Sequence, residues 1–400
     1  MIKAVLLDLD DTLLGNPTQQ FVERYVGLLN QHIIESLGLD EIARPLLMST
    51  REVVTSLDPL STNEQVFYDS LTPYLTVERE SFDKAVEVFY REVYPSLRTY
   101  TEMRESARPL VEWLIEHGYK VAVATNPFFP RTAIQQRLDW AGLSGIPFNL
   151  VTTLEEVHFS KPHPHYYEEV LARLGVQADE AVMVGDDWSN DIVPAWKAGL
   201  NTFWLCDKAK PGDLHPVQPD GFGSFEEFVL LVQDRDWLET LVSRPHVPDQ
   251  IAPRLLGNLA ALLGIASHVP APYWHTYPIE NEWAPIEVVC HLRDSETTVQ
   301  RPRLETILRE DNPFLSQPPT PPGPTEQVCP ECGWKVSLEF ADERLKTVGF
   351  LDSLDADAWD RPARHSIFGP TNFLEMANFT AQHDRLHISQ LCETVRQCYR

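Results

Sequence analysis

Cationic residues, cysteines and long apolar runs are all scarce in this chain. Lys and Arg number 33 against 59 Asp and Glu, a formal charge of −26 over 400 residues. A field of that sign repels phosphate backbones and argues against a nucleic-acid partner. It still admits a small anion, because a bound cation inverts the field locally. The six cysteines (Cys206, Cys290, Cys329, Cys332, Cys392, Cys398) are too few and scattered for a secreted disulfide framework. No apolar stretch approaches the ~20 residues of a membrane span, so no membrane partner is expected. The opening run reaches acid by Asp8, unlike a signal peptide. These absences together lead to the expectation of a cytoplasmic protein. The length predicts two or three domains.

The chain changes character near residue 240. Residues 1–240 hold 19 basic and 38 acidic residues, and residues 241–400 hold 14 and 21. In the first part, Ala4–Leu9, Val121–Thr125, Val182–Gly185 and Thr202–Cys206 read as buried strands, with Leu150–Thr153 weaker. Helical patterns lie between them at Ala107–His117, Ala133–Ala141 and Pro164–Leu174. That alternation predicts a Rossmann-like α/β parallel sheet with helices on both faces. Between residues 16 and 100 the pattern is helical instead, over Phe21–Leu37, Glu41–Leu57, Asn63–Leu71 and Glu78–Val93. Tyr25, Leu28, Leu29, His32 and Ile33 show the spacing. An interval this long is no simple connection. It predicts a helical cap over the carboxyl ends of the strands, where α/β sites lie.

Residues 245–400 predict an all-α four-helix bundle, from Ile251–His268, Pro285–Arg309, Phe340–Leu354 and Asn372–Gln397. A loop over 313–330 carries seven prolines.

Chemistry-bearing residues fall at the predicted strand ends. Asp8 and Asp10 are two apart on a strand and can converge. One carboxylate can attack phosphorus while the other moves the proton. Thr125 and Asn126 end the second strand with short donors suited to phosphoryl oxygens. Lys161 supplies a point charge. Asp186, Asp187 and Asp191 follow a strand that ends in Gly185, and such carboxylates suit magnesium.

These four segments resemble the motifs of the haloacid dehalogenase superfamily: DxDxT, a strand-terminal Ser/Thr, a Lys and GDxxxxD. The resemblance covers about residues 1–235. It implies that Asp8 is the nucleophile and Asp10 the acid/base. It implies that Thr125 and Lys161 hold the transferred phosphoryl group, and that Asp186 binds Mg²⁺ with Asp8 and the Asp10 carbonyl. Asp191 is implied to support that loop, with Asp187 as an alternative. Dehalogenases of the superfamily lack the second aspartate of the first motif, so Asp10 favours phosphoryl transfer. The expected partner is a small phosphorylated metabolite.

In the last predicted helix, His383 and His387 stand four apart on one face, in a stripe with Met376, Thr380 and Leu391. His291 lies on the apolar side of an earlier helix. Three such imidazoles could bind Zn²⁺, Ni²⁺ or a similar divalent metal; the alternative is packed core histidines. The segments Trp283–Asp294, Phe368–Pro370 and His383–Leu391 resemble the DinB-like four-helix metalloproteins, over about residues 248–398. That resemblance implies that His291, His383 and His387 form a metal triad. Cys329 and Cys332 have metal-ligand spacing but make only half a tetrahedral site; a redox pair and two reduced loop thiols stay open. Cys290 and Cys392, on helices, fit packing.

The expectation is therefore a Mg-dependent hydrolase of a small phosphomonoester, acting through an aspartyl phosphate and fused to a metal-binding bundle. The alternatives place the activity in the bundle. It would be either a metal-dependent thiol transferase or a ligand sensor, one that could also pair the chain as a homodimer.

Overall fold

A computed structural model describes residues 1–39, 42–206, 216–278, 282–316 and 332–399. Residues 1–167 with 178–243 form one compact unit; Glu168–Gln177 with Arg244–Arg400 form a second.

In the first unit, β1 (Ala4–Leu7) is buried at every position. Only a central strand covered on both faces tolerates four consecutive apolar side chains. Its edges pair in parallel with β2 (Lys120–Val123) and β4 (Ala181–Gly185), in the registers Ala4↔Lys120 and Ala4↔Ala181. With β3 (Leu150–Val151), β5 (Asn201–Leu205) and β6 (Gly221–Gly223), the sheet order is β3-β2-β1-β4-β5-β6, parallel throughout. This is the expected Rossmann-like sheet. The sequence pattern did not reveal β6, which is three residues long with two glycines. A Cβ on Gly221 would sit 2.6 Å from the Phe203 ring.

Between β1 and β2 the chain folds into the predicted helices: α1 (Thr18–Leu37), α2 (Ala43–Thr55), α3 (Asn63–Leu71) and α4 (Arg79–Val88). Two of the termini have a clear local cause. Thr62 closes a capping box with Gln65 at the head of α3. Gly38 ends α1 in the left-handed region at φ 67°. Helix α5 (Arg131–Trp140) follows β2 and buries Ala133, Ile134, Arg137 and Leu138.

In the second unit, α6 (Ile251–Ala266), α7 (Pro285–Ser295, running on to Arg309), α8 (Gly333–Asp352) and α9 (Phe373–Cys398) pack as a four-helix bundle. Leu259, Leu262, Val288, Phe340 and Leu391 are among its core residues. Helix α8 begins seven residues before the expected start at Phe340. Gly333 disfavours helix in isolation, but it lets the first turn close on Trp274, whose ring would lie 2.0 Å from an added Cβ. A three-stranded sheet of Phe314–Leu315, Pro362–His365 and Gly369–Asn372 also escapes the periodicity. Cys290, expected as a packed thiol, is buried and disulfide-bonded. Cys332 is an exposed free thiol. Cys329 and most of the 313–330 loop lie outside the described residues. No described helix is long and apolar enough to cross a membrane.

Candidate functional site

The carboxyl ends of the central strands set the first cluster. Asp8 follows β1 directly and Asp186 follows β4, which are adjacent in the sheet. Asp191 enters one turn later and reaches back under the strand end. It can do so because residue 185 is glycine: a Cβ there would lie 2.2 Å from an Asp191 carboxylate oxygen. The Asp187 amide donates to that same oxygen, Asp191 Oδ2, at 3.0 Å. Asp187 itself caps the following turn, accepting from the amides of Ser189 and Asn190 at 2.8 and 3.0 Å.

Lys161 is buried in the middle. Its Nζ donates to Asp8 Oδ1 at 2.7 Å and to Asp191 Oδ1 at 2.5 Å. One ammonium thus serves two carboxylates, and Asp186 is left with the Thr12 hydroxyl at 3.5 Å. The imbalance shows in the titration of the group. Burial, ahead of the lowering effect of Lys161 and the repulsion of Asp191 and Asp10, pushes Asp8 up to about 8. Burial and the neighbouring Asp8 and Asp11 push Asp186 to about 7. Burial, against the pull of Lys161, takes Asp191 to about 6. Lys161 is held well above its ordinary value: the two carboxylates outweigh its burial. Oxygens of Asp8, Asp186 and Asp191 lie within 4.8 Å of one another. Three crowded carboxylates with one ammonium between them fit a hard divalent cation, which takes oxygen ligands and offsets surplus negative charge.

Asp10 is brought to the same cavity but is turned to other partners. Arg137 NH1 donates to its Oδ2 at 2.5 Å and Asn16 Nδ2 to its Oδ1 at 3.0 Å. Asp11, at φ 54°, makes the sharp turn after Asp10; its side chain accepts from the Asn16 amide at 3.0 Å, and Arg104 donates to its carbonyl at 2.8 Å. Thr125 is anchored through its carbonyl, which accepts from Thr152 at 2.7 Å and Tyr166 at 2.9 Å. Thr125, Asn126, Lys161 and the three metal-suited aspartates share one cavity with Asp10 and with Pro17–Gln20 at the head of α1. Every residue singled out in the first unit therefore converges. Arg137 and Asn16 were missed. A signal existed for Arg137: it is the one cation on the apolar face formed by Ala133, Ile134, Leu138 and Ala141.

The second cluster lies in the bundle. His291 on α7 and His383 on α9 approach with Nε2 atoms 3.2 Å apart. His387, one turn along α9, has its ring centroid 4.5 Å from that of His291 and 4.6 Å from that of His383. Its Nδ1 pairs with Gln390 Oε1 at 2.9 Å. Since an amide oxygen only accepts, Nδ1 carries the proton and the Nε2 lone pair is free. Trp283 stacks nearly parallel on His387. Burial, then His387 and His383, takes His291 down to about 3; burial and His383 also lower His387. Burial thus favours the neutral form of His291 and His387, and ring nitrogens of all three histidines lie within 4.8 Å of one another. Beneath it, buried Arg344 bridges Glu296 and Asp384.

Against known proteins, the sequence model of the haloacid dehalogenase-like hydrolases matches residues 2–199. The glyceraldehyde 3-phosphate phosphatase of Methanopyrus kandleri is 30% identical over 231 residues, covering 56% of this chain and 93% of that protein. The chain belongs to the haloacid dehalogenase-like hydrolases. Pyrophosphatase PpaX of Bacillus cereus is 27% identical over 201 residues, 50% of this chain and 82% of its own. Among solved structures, a HAD phosphatase from Thermococcus onnurineus aligns at 24% identity and TM-score 0.38, covering 58% of this chain and 98% of that one. This hydrolase carries a second family as well: the DinB superfamily model matches residues 254–391. It is an enzyme of the haloacid dehalogenase-like kind, with phosphatases among its relatives.

Proposed function

We propose that the chain is a Mg²⁺-dependent phosphatase of a small phosphomonoester, with the hydrolase in residues 1–240 and a metal-binding bundle in 245–400. The observation that carries the reading is the pairing of two differently held aspartates in one cavity. Asp8 sits on Lys161 among the metal-suited carboxylates, and Asp10 sits apart on Arg137 and Asn16.

The roles follow from those settings. An Asp8 oxygen attacks phosphorus and the bond to the leaving oxygen breaks, leaving an aspartyl phosphate. Asp10 gives the leaving oxygen its proton. It then takes a proton from water as that water attacks the aspartyl phosphate, releasing inorganic phosphate and restoring Asp8. Thr125, Asn126 and Lys161 hold the phosphoryl oxygens, and Arg137 with Asn16 fixes where Asp10 stands. Magnesium, held by Asp8, Asp186 and the Asp10 carbonyl with Asp191 in support, would supply charge that offsets the repulsion between carboxylate and phosphate. In the bundle, His291, His383 and His387 suit Zn²⁺, Ni²⁺ or a similar ion, since nitrogen ligands favour borderline metals.

A screen of phosphomonoesters with the purified chain, measuring phosphate release with and without Mg²⁺, tests the reading. Release should require the ion. Absence of release from every ester in Mg²⁺ would sink it and move attention to thiol-transfer or sensing by the bundle.

A further inference from the structure

A second cavity, of 290 Å³, lies among the cap helices. It is near the lower end of small-molecule pockets, roughly 300–1,000 Å³. Its wall is built from Tyr25, Leu29, Phe67, Phe82, Tyr90 and Phe129. The two phenols in that wall satisfy each other, Tyr25 Oη to Tyr90 Oη at 2.7 Å, so they present ring faces rather than free hydroxyls.

Two chain segments contribute residues both to this cavity and to the catalytic one. Helix α1 lines the catalytic cavity with Thr18, Gln19 and Gln20 and the apolar one with Val22, Tyr25 and Val26. From Gln19 to Val22 the rise is only about 4.5 Å. The segment after β2 does the same, offering Thr125 and Asn126 to one cavity and Phe128, Phe129 and Pro130 to the other. The Phe129 ring lies 4.1 Å from the guanidinium carbon of Arg137, the residue that holds Asp10.

The charges on the apolar cavity are all of one sign. Glu64, Asp83 and Glu87 line it, and no Lys or Arg is among the described lining residues. The nearby Arg79 is engaged by Asp83 at 2.9 Å and lies over the Tyr68 ring. Burial, with Glu155 and Asp83 close by, raises the Glu64 carboxyl above its ordinary range. A second phosphate or a carboxylate would meet apolar wall and negative rim, with no cation to receive it.

We propose that this cavity is the subsite for the organic part of the substrate, and that the preferred substrate is the monophosphate of an apolar, aryl-sized alcohol with no second anionic group. The inference rests on the phosphatase reading above.

The test uses the full chain in Mg²⁺ and compares kcat/KM for 1-naphthyl phosphate, glycerol 3-phosphate and pyrophosphate. Filling or emptying an apolar pocket by a few atoms typically changes discrimination by about 10–200-fold. Naphthyl phosphate should therefore lead by at least about ten-fold. Val86→Trp, at a half-buried lining position, should erase that lead. Thr50→Lys, also half-buried on the wall, should raise the relative rate on pyrophosphate and serves if the Trp variant fails to fold. Equal or better turnover of pyrophosphate or glycerol phosphate, or a ratio unmoved by both variants, would overturn the proposal. If no ester is hydrolysed at all, the phosphatase reading falls. Fluorescence titration with 1-naphthol then decides the cavity by itself: binding that Val86→Trp or Thr50→Lys abolishes upholds it, and no binding refutes it.

Discussion

Asp8, Asp186 and Asp191 in the first unit and His291, His383 and His387 in the second each bring three ligand atoms within 4.8 Å. Burial disfavours the charged form in both places. The outcome has opposite sign because the charged form differs. The carboxyls rise, to about 8, 7 and 6, and two of the imidazoles fall, His291 to about 3. The acidic cluster is short of positive charge, with Lys161 shared between two partners. In the imidazole cluster burial favours the neutral form of His291 and His387, and the ring nitrogens stand at close range. One therefore suits a hard, oxygen-seeking ion and the other a borderline, nitrogen-seeking one. Neighbouring geometry alone would not separate them; the sign of the shift does.

The sharpest break between the two regions should come from Asp8→Asn. The substitution keeps the size of the side chain and removes the attacking charge. Phosphate release should fall by at least about 10⁴-fold, the scale seen when a nucleophile is removed, while the melting curve stays close to that of the parent. Undiminished turnover would exclude an aspartyl phosphate. Next in size is the metal itself. EDTA should cut phosphate release by at least about 100-fold, since each charge-stabilising contact at a transition state is worth about that much. Mg²⁺ in excess should restore it. Asp186→Asn should raise the Mg²⁺ concentration needed for half-maximal rate. Full rate in EDTA would contradict the assignment.

Smaller in its effect on catalysis, and largest in metal content, should be His387→Ala. Losing one of three nitrogen ligands should reduce bound transition metal from near one per chain to about a tenth, since even changes to supporting groups cost about 10–100-fold in affinity. Phosphate release should stay within about two-fold if the two clusters use different ions. Metal analysis of the full chain decides it. The full chain is needed because a 245–400 fragment would strip Arg254 and Arg385 of Glu168, which both bond within the second unit at 3.0 and 2.6 Å. A buried cation without its partner is strongly destabilising. No copurifying metal, and no change in melting on adding Zn²⁺ or Ni²⁺, would return the histidines to core packing.

How much of this was legible in the sequence follows from the range of the interactions. The sheet and cap helices announce themselves through local periodicity, Asp8, Thr125 and Asp186 through their positions at strand ends, and Lys161 as a lone cation in the stretch after the third strand. The partners of Asp10 do not. Arg137 is 127 residues away in sequence, and nothing local says that its guanidinium ends 2.5 Å from that carboxylate. Asn16 is close in sequence, yet its role depends on the turn at Asp11. The apolar cavity was hidden for a related reason: Tyr25, Phe67, Phe82 and Phe129 come from four separate segments, and each reads singly as ordinary core. Gly333 misled in the other direction, because a poor helix former was overruled by its fit against Trp274.

The smallest expected effect is on stability against pH in the metal-free chain, and there the two clusters should pull apart. Carboxyls raised in the folded state bind protons more tightly there than in the unfolded chain. Their contribution is fully present below about pH 4 and is lost as pH rises through 6, 7 and 8. Imidazoles lowered in the folded state do the reverse. Their contribution is intact above about pH 6.5 and is lost as pH falls from there towards 3, because the unfolded chain takes up protons that the folded one refuses. Calorimetry in EDTA should therefore show one component weakening by a few degrees on the alkaline side and another on the acid side. Asp8→Asn, which imitates the protonated carboxyl, should flatten the alkaline arm only, and His291→Gln the acid arm only. Mg²⁺ should also flatten the alkaline arm, since a cation at the carboxylates removes the cause of their upward shift. If both arms bend the same way, or if Asp8→Asn leaves the alkaline arm unchanged, the opposite electrostatics of the two clusters would be wrong, and with them the argument for two different ions.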